Sequence, residues 1–228
     1  MKHIGIVACS AEGAALCYQT ICREALTVVG KNDHPRITLD SIAMARWLLA
    51  LDTGDYAGVA RVMLESARLL AAAGADFAIC PDNSVHLAWD HVQAATPLPW
   101  LHIAHVVSEE AERRGFRRVG VLGTRFTMAG PMYPESLRAV GIEAVVPEAP
   151  DFETVDRIIF AELVDGVFTD ASREAYRRVI ARLGERGCDA VALACTEIPL
   201  LVRADESPLP ALDSTRLLAR AALMEALR

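Results

Sequence analysis

The chain has 228 residues, enough for one large α/β domain or for two lobes of about 100 residues each. With 53% hydrophobic and 23% charged residues, its composition excludes a disordered protein. The net charge of −7 provides no positive field that would attract nucleic acid or an anionic membrane, so we expect neither as a partner. The apolar run at the N-terminus is too short for a signal peptide, which predicts a cytoplasmic protein.

Short runs rich in Val, Ile and Leu alternate with longer amphipathic stretches, which is typical of βα units around a parallel sheet. The predicted strands are Ile4–Ala8, Phe77–Cys80, Trp100–Ile103, Val119–Leu122, Ala144–Val146 and Ala190–Ala194. The predicted helices are Asp55–Ala73, Ser84–Ala95, Arg173–Gly187 and Ser214–Leu227. The segment 31–55 has mixed patterning and is assigned to no element.

Two parts of the sequence resemble each other. Residues 74–83, Gly-Ala-Asp-Phe-Ala-Ile-Cys-Pro-Asp-Asn, match residues 187–196, Gly-Cys-Asp-Ala-Val-Ala-Leu-Ala-Cys-Thr, and residues 4–9 match residues 119–124. Because Gly-x-Asp before an apolar strand is common, chance similarity is the alternative. The repeat predicts two similar lobes, formed by residues 1–101 with 211–228 and by residues 102–210, with crossovers near proline-bearing stretches.

Asp82 and Cys195 occupy matching positions, each just after the carboxyl end of a predicted strand, where α/β folds bind ligands. If the lobes face each other across a pseudo-twofold axis, these two side chains meet in one cleft. Cys195 lies at a strand-to-helix turn whose amide groups can lower a thiol pKa, and a buried structural thiol is the alternative. Cys80 is a second candidate, but the repeat aligns it with Leu193. The alternative for Asp82 is an N-cap of the helix over Ser84–Ala95.

The six cysteines form no CxxC pair and lie in apolar or helical stretches, so we expect thiols rather than disulfides. His102 and His105 have no matching cluster of Cys or carboxylate residues, so the sequence predicts no metal site.

Three motifs together resemble the aspartate/glutamate racemase family. They are Gly123-Thr124-Arg125-Phe126-Thr127-Met128, Asp82-Asn83-Ser84-Val85-His86 and Ala194-Cys195-Thr196-Glu197-Ile198-Pro199-Leu200-Leu201. The likeness spans nearly the whole chain and is strongest from Val119 to Val202. It implies an α/β fold of two pseudosymmetric lobes, each a short, mainly parallel sheet flanked by helices, with the active site in the cleft between them. It also implies a homodimer and catalysis without pyridoxal phosphate or metal.

The resemblance also implies which residues act. Cys195 takes the position of one catalytic cysteine, whereas Asp82 stands where the family usually has the other, so the chain resembles the one-cysteine members. The loop at residues 8–13 departs from the family pattern, which leaves the choice of substrate open. The positions that bind substrate carboxylate in the family are Ser10, Asn83, Ser84, Thr124, Thr127 and Thr196 in this chain. Each of these side chains has helix capping as its alternative role.

These observations predict a cofactor-independent racemase or epimerase of a small acidic amino acid, with two groups transferring protons at Cα. Arg46 and Arg125 are candidates for binding a side-chain carboxylate, although most arginines are solvated surface residues. Two alternatives stay open. One is a decarboxylase or cis-trans isomerase of a small dicarboxylic acid on the same scaffold, and the other is a non-catalytic binder of small acids.

Overall fold

The computed structural model describes the whole chain, Met1–Arg228, which divides into two compact units. The first unit consists of Met1–Ile103 and Thr215–Arg228, and the second consists of Ala104–Ser214. The second unit is therefore inserted into the first, and the chain passes from one unit to the other twice.

The elements are numbered in chain order. Up to the fourth strand they are β1 Ile4–Ala8, α1 Ala11–Val28, β2 Ile37–Ser41, α2 Met44–Asp52, α3 Tyr56–Ala72, β3 Phe77–Ile79, a 3₁₀ turn Ser84–Ala88, α4 Trp89–Gln93 and β4 Trp100–Leu101. The rest are α5 Ile103–Arg113, β5 Arg118–Gly123, α6 Arg125–Ala129, α7 Met132–Ala139, β6 Glu143–Val145, α8 Asp151–Ala161, a 3₁₀ turn Leu163–Asp165, α9 Asp170–Glu185, β7 Ala190–Ala194, α10 Ile198–Leu201, β8 Ala211–Asp213 and α11 Ser214–Ala226. No helix has both the length and the apolar character needed to cross a membrane.

Each unit contains one parallel sheet of four strands. The strand order is β2-β1-β3-β4 in the first unit and β6-β5-β7-β8 in the second, so the two sheets have the same topology. The central strands β1, β5 and β7 are almost wholly buried, as expected for strands covered by helices on both faces. The predicted fold class, two α/β lobes with a parallel sheet in each, is confirmed.

The strand register follows the internal repeat residue by residue. Gly5 pairs with Ala78 in the first sheet, and Gly120 pairs with Val191 in the second. The sequence repeat equates the same residues, Gly5 with Gly120 and Ala78 with Val191. The two halves of the chain therefore match in backbone pairing as well as in residue type.

The Gly-x-Asp motif of the repeat has one structural role in both units. The glycine that follows α3 or α9 adopts a positive φ, +88° in the first unit and +86° in the second, which ends the helix. The Asp76 carboxylate then accepts a hydrogen bond from the His3 backbone N–H at 2.6 Å, and Asp189 accepts one from Arg118 at 3.2 Å. Each aspartate thereby joins the start of one central strand to the start of its neighbour.

The predicted helix over Ser84–Ala95 is wrong in its first half, where the chain forms a 3₁₀ turn. In an α-helix the His86 N–H would bond to the Asp82 carbonyl oxygen four residues earlier. Here the His86 N–H donates to the Asn83 carbonyl at 3.1 Å, and the His86 ring nitrogen Nδ1 lies 2.7 Å from the Asp82 oxygen instead. The imidazole thus takes the acceptor that would continue the α-helix.

The core of each unit lies between its sheet and the flanking helices. In the first unit Ile4, Trp47 and Met63 are fully buried. In the second unit Tyr176 on α9 and Val191 on β7 belong to one apolar cluster. Helix α5 belongs to the second unit apart from Ile103, and α11 belongs to the first apart from Ser214.

Candidate functional site

In the first unit the predicted site residues follow the carboxyl ends of β1 and β3. Ser10 comes two residues after β1 and is the N-cap of α1, where its hydroxyl accepts a hydrogen bond from the Gly13 N–H at 3.2 Å. Asn83 and Ser84 come after β3 and are both buried. For Ser10 the capping alternative is thus realised, and capping leaves a hydroxyl able to donate a further hydrogen bond.

Asp82 is half-buried at the turn after β3. Its Oδ1 accepts a hydrogen bond from the Val85 N–H at 3.3 Å, at the start of the 3₁₀ turn, whose N-cap residue is Asn83. A hydrogen bond from a backbone amide stabilises the charged form of a carboxylate. This contact therefore favours the deprotonated form of Asp82, which is the form that can accept a proton.

Cys80 differs from Asp82 in both burial and chemistry. It is fully buried, and burial raises the pKa of its thiol well above the ordinary value, with the negative charge of Asp82 adding to the rise. A neutral thiol inside the core is inert as a base. These properties favour Asp82 over Cys80 as the reacting group of the first unit.

In the second unit two threonines begin α6. The Thr124 hydroxyl is the N-cap and accepts a hydrogen bond from the Thr127 N–H at 3.3 Å, and the two hydroxyl oxygens lie 3.3 Å apart. The structure therefore brings Thr124 and Thr127 together at the carboxyl end of β5. Hydroxyl groups placed in this way are suitable donors for a carboxylate.

Cys195 directly follows β7. Its thiol contacts the carboxyl group of Glu197, a residue of the motif Ala194–Leu201 for which the sequence predicted no role. The Cys195 Sγ donates to Glu197 Oε2 at 3.0 Å, and the Thr196 hydroxyl donates to the same oxygen at 3.1 Å. Glu197 is only 3% exposed. The available signal was a charged residue directly before the apolar run from Ile198 to Val202, because an acidic side chain is rarely buried without a specific partner.

The register of the central strands relates the two reacting positions. Asp82 lies four residues beyond Ala78, and Cys195 lies four residues beyond Val191, the equivalent residue of the other sheet. Cys80 is equivalent instead to Leu193, a core residue that is 1% exposed. Within each unit, the predicted residues therefore lie at one edge of one sheet.

The two arginines considered for a side-chain carboxylate are each paired with a carboxylate of their own unit. Arg46 forms a bidentate pair with Glu65 at 3.1 and 2.7 Å, and both side chains are exposed. Arg125 contacts Asp156 at 3.4 Å, and its guanidinium lies 4.3 Å from the centre of the Phe126 ring. A substrate carboxylate would have to compete with these partners.

No group of three or more His, Cys, Asp and Glu side chains is arranged to hold a metal ion. The chain has two lysines, of which Lys2 is paired with Glu225 and Lys31 is exposed.

Gly123 allows β5 and β7 to come close beside the threonine pair. A Cβ at this position would lie 2.6 Å from the Ala194 carbonyl oxygen and 3.0 Å from the Thr127 Cβ. We expect Gly123→Ala to lower the free energy of unfolding by about 1–3 kcal/mol, because backbone atoms cannot move aside cheaply. Urea denaturation measures the change.

Gly184→Ala is the matched control. There the new Cβ meets only the flexible Leu209 side chain at 3.3 Å, on a helix where alanine is favoured over glycine. This variant should keep or raise the stability of the protein. Equal losses in the two variants would contradict a special role for the close approach at Gly123.

Comparison with known proteins agrees with this fold. The model of the Asp/Glu/hydantoin racemase family matches residues 5–222, so the chain belongs to this family. This confirms the predicted resemblance. It also confirms, at the level of the family, that the protein is an enzyme of the amino-acid racemase class.

Individual relatives support the same assignment. The crystal structure of a candidate Asp/Glu racemase from Yersinia pestis is 34% identical with a TM-score of 0.90, and each chain is covered in full. An aspartate racemase homologue from Pyrococcus horikoshii is 29% identical with a TM-score of 0.85, again over the full length of both chains. The broad specificity amino-acid racemase RacX from Bacillus subtilis is 24% identical over 73% of this chain and 71% of its own.

Proposed function

We propose that the protein racemises a small acidic amino acid without a cofactor, with Asp82 and Cys195 transferring protons on opposite faces of the same Cα. The observation that carries this proposal is their matching position, four residues beyond equivalent paired residues in two sheets of identical order. Racemisation needs one group to remove the α-proton and another to deliver a proton to the opposite face. Two equivalent strand ends supply two such groups.

Neutral donors that follow the carboxyl ends of the central strands are proposed to hold the substrate. Ser10, Asn83 and Ser84 belong to the first unit, and Thr124, Thr127 and Thr196 belong to the second. Hydroxyl and amide groups bind a carboxylate without adding a charge that would disturb the proton carriers. The acidic choice of substrate rests on the family, whose model is named for aspartate, glutamate and hydantoin racemases.

The experiment is a panel of L- and D-amino acids incubated with the protein in deuterated water and analysed by chiral chromatography and mass spectrometry. We expect deuterium at Cα together with inversion, fastest for aspartate or glutamate. Disubstituted malonates and maleate are included to test decarboxylation and cis-trans isomerisation. Turnover of these acids alone, or ligand binding without any exchange at Cα, would contradict the proposal.

Activity should survive dialysis against a chelator and should need no added pyridoxal phosphate. The proposed reaction uses only side-chain acids and bases, and neither lysine lies beside the proposed site residues in the sequence. Racemisation is measured before and after dialysis, with zinc, magnesium and pyridoxal phosphate added back one at a time. A requirement for any of these additions would overturn this part of the proposal.

The predictions of a cytoplasmic location and a homodimer belong to the same proposal. Light scattering after size exclusion tests the dimer, for which the expected mass is twice that of the 24.7 kDa chain.

A further inference from the structure

Glu197 places a buried carboxyl group against the thiol to which the proposed function assigns proton transfer. Its Oε2 accepts hydrogen bonds from the Cys195 thiol at 3.0 Å and from the Thr196 hydroxyl at 3.1 Å. Two donors converging on one oxygen are the arrangement expected around an anionic acceptor. The other oxygen, Oε1, is buried without a hydrogen-bond partner.

Cys195 lies in an apolar part of the second unit that also holds carboxyl groups. The residue belongs to the apolar cluster of the second unit, together with Tyr176 on α9 and Val155 on α8. Among the ionisable groups that interact electrostatically with Tyr176 are Cys195, Glu197, Asp156 and Glu162. Removing the thiol proton would therefore add a negative charge to a region that already holds carboxyl groups.

The helix that follows Cys195 is too short to stabilise a thiolate strongly. From the sequence, the amide groups at the start of this helix were expected to be able to lower the pKa of the Cys195 thiol. That helix, α10, has only the four residues Ile198–Leu201, so few peptide dipoles are aligned toward the sulfur. The direct contact with Glu197 is the stronger influence.

We propose that Glu197 is a positioning residue that keeps Cys195 protonated in the free enzyme, so that Cys195 is the resting acid and Asp82 the resting base. This inference rests on the proposed function for its meaning in catalysis. The amide hydrogen bond at Asp82 favours the carboxylate, and the carboxylate of Glu197 favours the thiol. The two units thus hold opposite protonation states at equivalent positions.

The proton transfers follow from this resting state. The Cα–H bond facing Asp82 breaks, its proton forms an O–H bond on Asp82, and the electron pair stays on Cα. The Cys195 S–H bond breaks, and its proton forms the new Cα–H bond on the opposite face. The thiolate that remains is unfavourable beside Glu197 and regains a proton from solvent, while Asp82 releases its proton to solvent. The resting state is thereby restored.

The test measures the alkylation rate of Cys195 by iodoacetamide as a function of pH, without substrate, by peptide mass spectrometry. Half-exposed Cys22 in the same samples is an internal control. In the wild-type protein the midpoint for Cys195 should lie above the ordinary thiol value of about 8.5. Glu197→Gln keeps the shape and removes the charge, so its midpoint should fall by about one pH unit or more, with roughly tenfold faster alkylation near pH 7.5.

Two further variants separate charge from structure. Glu197→Asp retains the charge and should shift the midpoint much less than Glu197→Gln. Glu174→Gln removes an exposed carboxylate of the second unit, one that pairs with Arg178, and should leave the Cys195 midpoint nearly unchanged. In Glu197→Gln the basic limb of the racemisation profile should move to lower pH together with the alkylation midpoint.

The inference is overturned if Glu197→Gln leaves the Cys195 midpoint unchanged or raises it, or if the wild-type midpoint lies below about 8. The wild-type measurement needs no variant to fold. Because alkylation is measured without substrate, it is independent of the proposed function. A protein that racemises nothing but shows these midpoints would contradict the function alone, and an active racemase with an unshifted Glu197→Gln midpoint would contradict this inference alone.

Discussion

Replacing Cys195 with Ala is expected to lower inversion by a factor on the order of 10² to 10⁴, the usual contribution of a positioned acid or base. The substitution removes the proposed proton donor at the end of β7. Deuterium uptake at Cα should fall less than inversion, because Asp82, the proposed resting base, can still remove the α-proton on its own face. Chiral chromatography and mass spectrometry measure both. Cys195→Ser keeps the shape but provides a far weaker acid, so it should resemble Cys195→Ala more than the wild-type protein.

The fold should survive this change. Cys195 is a small buried side chain, and losing one sulfur from the apolar cluster is expected to cost about 1–3 kcal/mol. Circular dichroism and urea denaturation provide the control. A folded Cys195→Ala protein that racemises at the wild-type rate would refute the assignment of Cys195.

Asp82→Asn is expected to reduce inversion by a similar factor while leaving the volume of the side chain nearly unchanged. The amide cannot accept the α-proton, yet its oxygen can still accept the hydrogen bond from the Val85 N–H. Exchange at Cα on the face served by Cys195 should persist only at high pH, where the thiol can lose its proton and act as the base. Comparing deuterium uptake with inversion, for each enantiomer, measures the difference.

Cys80→Ser is the matched control for Asp82→Asn. The two residues are close in sequence, but Cys80 is fully buried and burial raises its pKa, so its substitution should affect activity much less. The opposite result, with Cys80→Ser inactive and Asp82→Asn active, would mean that the two thiols form the pair. Asp82→Cys provides a complementary probe, because retained racemisation with a changed pH profile would place residue 82 at the reacting carbon.

How far the sequence predicted the fold depended on burial. β1 and β7 were predicted with their correct bounds, because strands buried on both faces appear as continuous apolar runs. β2 lies at the edge of its sheet and is half-exposed, so Ile37–Ser41 carries no such run. β8 has only three residues and follows Pro210, and a segment that short has no periodicity to detect.

For the candidate site, the sequence showed what depends on the repeat but not what depends on the direction in which a side chain turns. The repeat aligned Asp82 with Cys195, and the strand register of each unit has the same alignment. The role of Glu197 could not be predicted, because sequence spacing does not show that a carboxyl group turns back into the core toward a thiol two residues earlier. The 3₁₀ turn at Ser84–Ala88 escaped prediction for a similar reason, since it depends on one imidazole reaching one carbonyl oxygen.

The way the chain passes between its units has a consequence for the origin of the fold. Each half of the sequence builds a four-stranded sheet, and the helix that follows the fourth strand joins the other unit: α5 after β4, and α11 after β8. This is the connectivity of a domain-swapped pair in which each partner gives its last helix to the other. A half-length ancestor that assembled by such an exchange would reproduce this topology after gene duplication and fusion, with one peptide linkage replacing two free termini. The two halves of a fused chain can then change independently. Residue 82 can therefore be an aspartate while residue 195, at the equivalent position, is a cysteine.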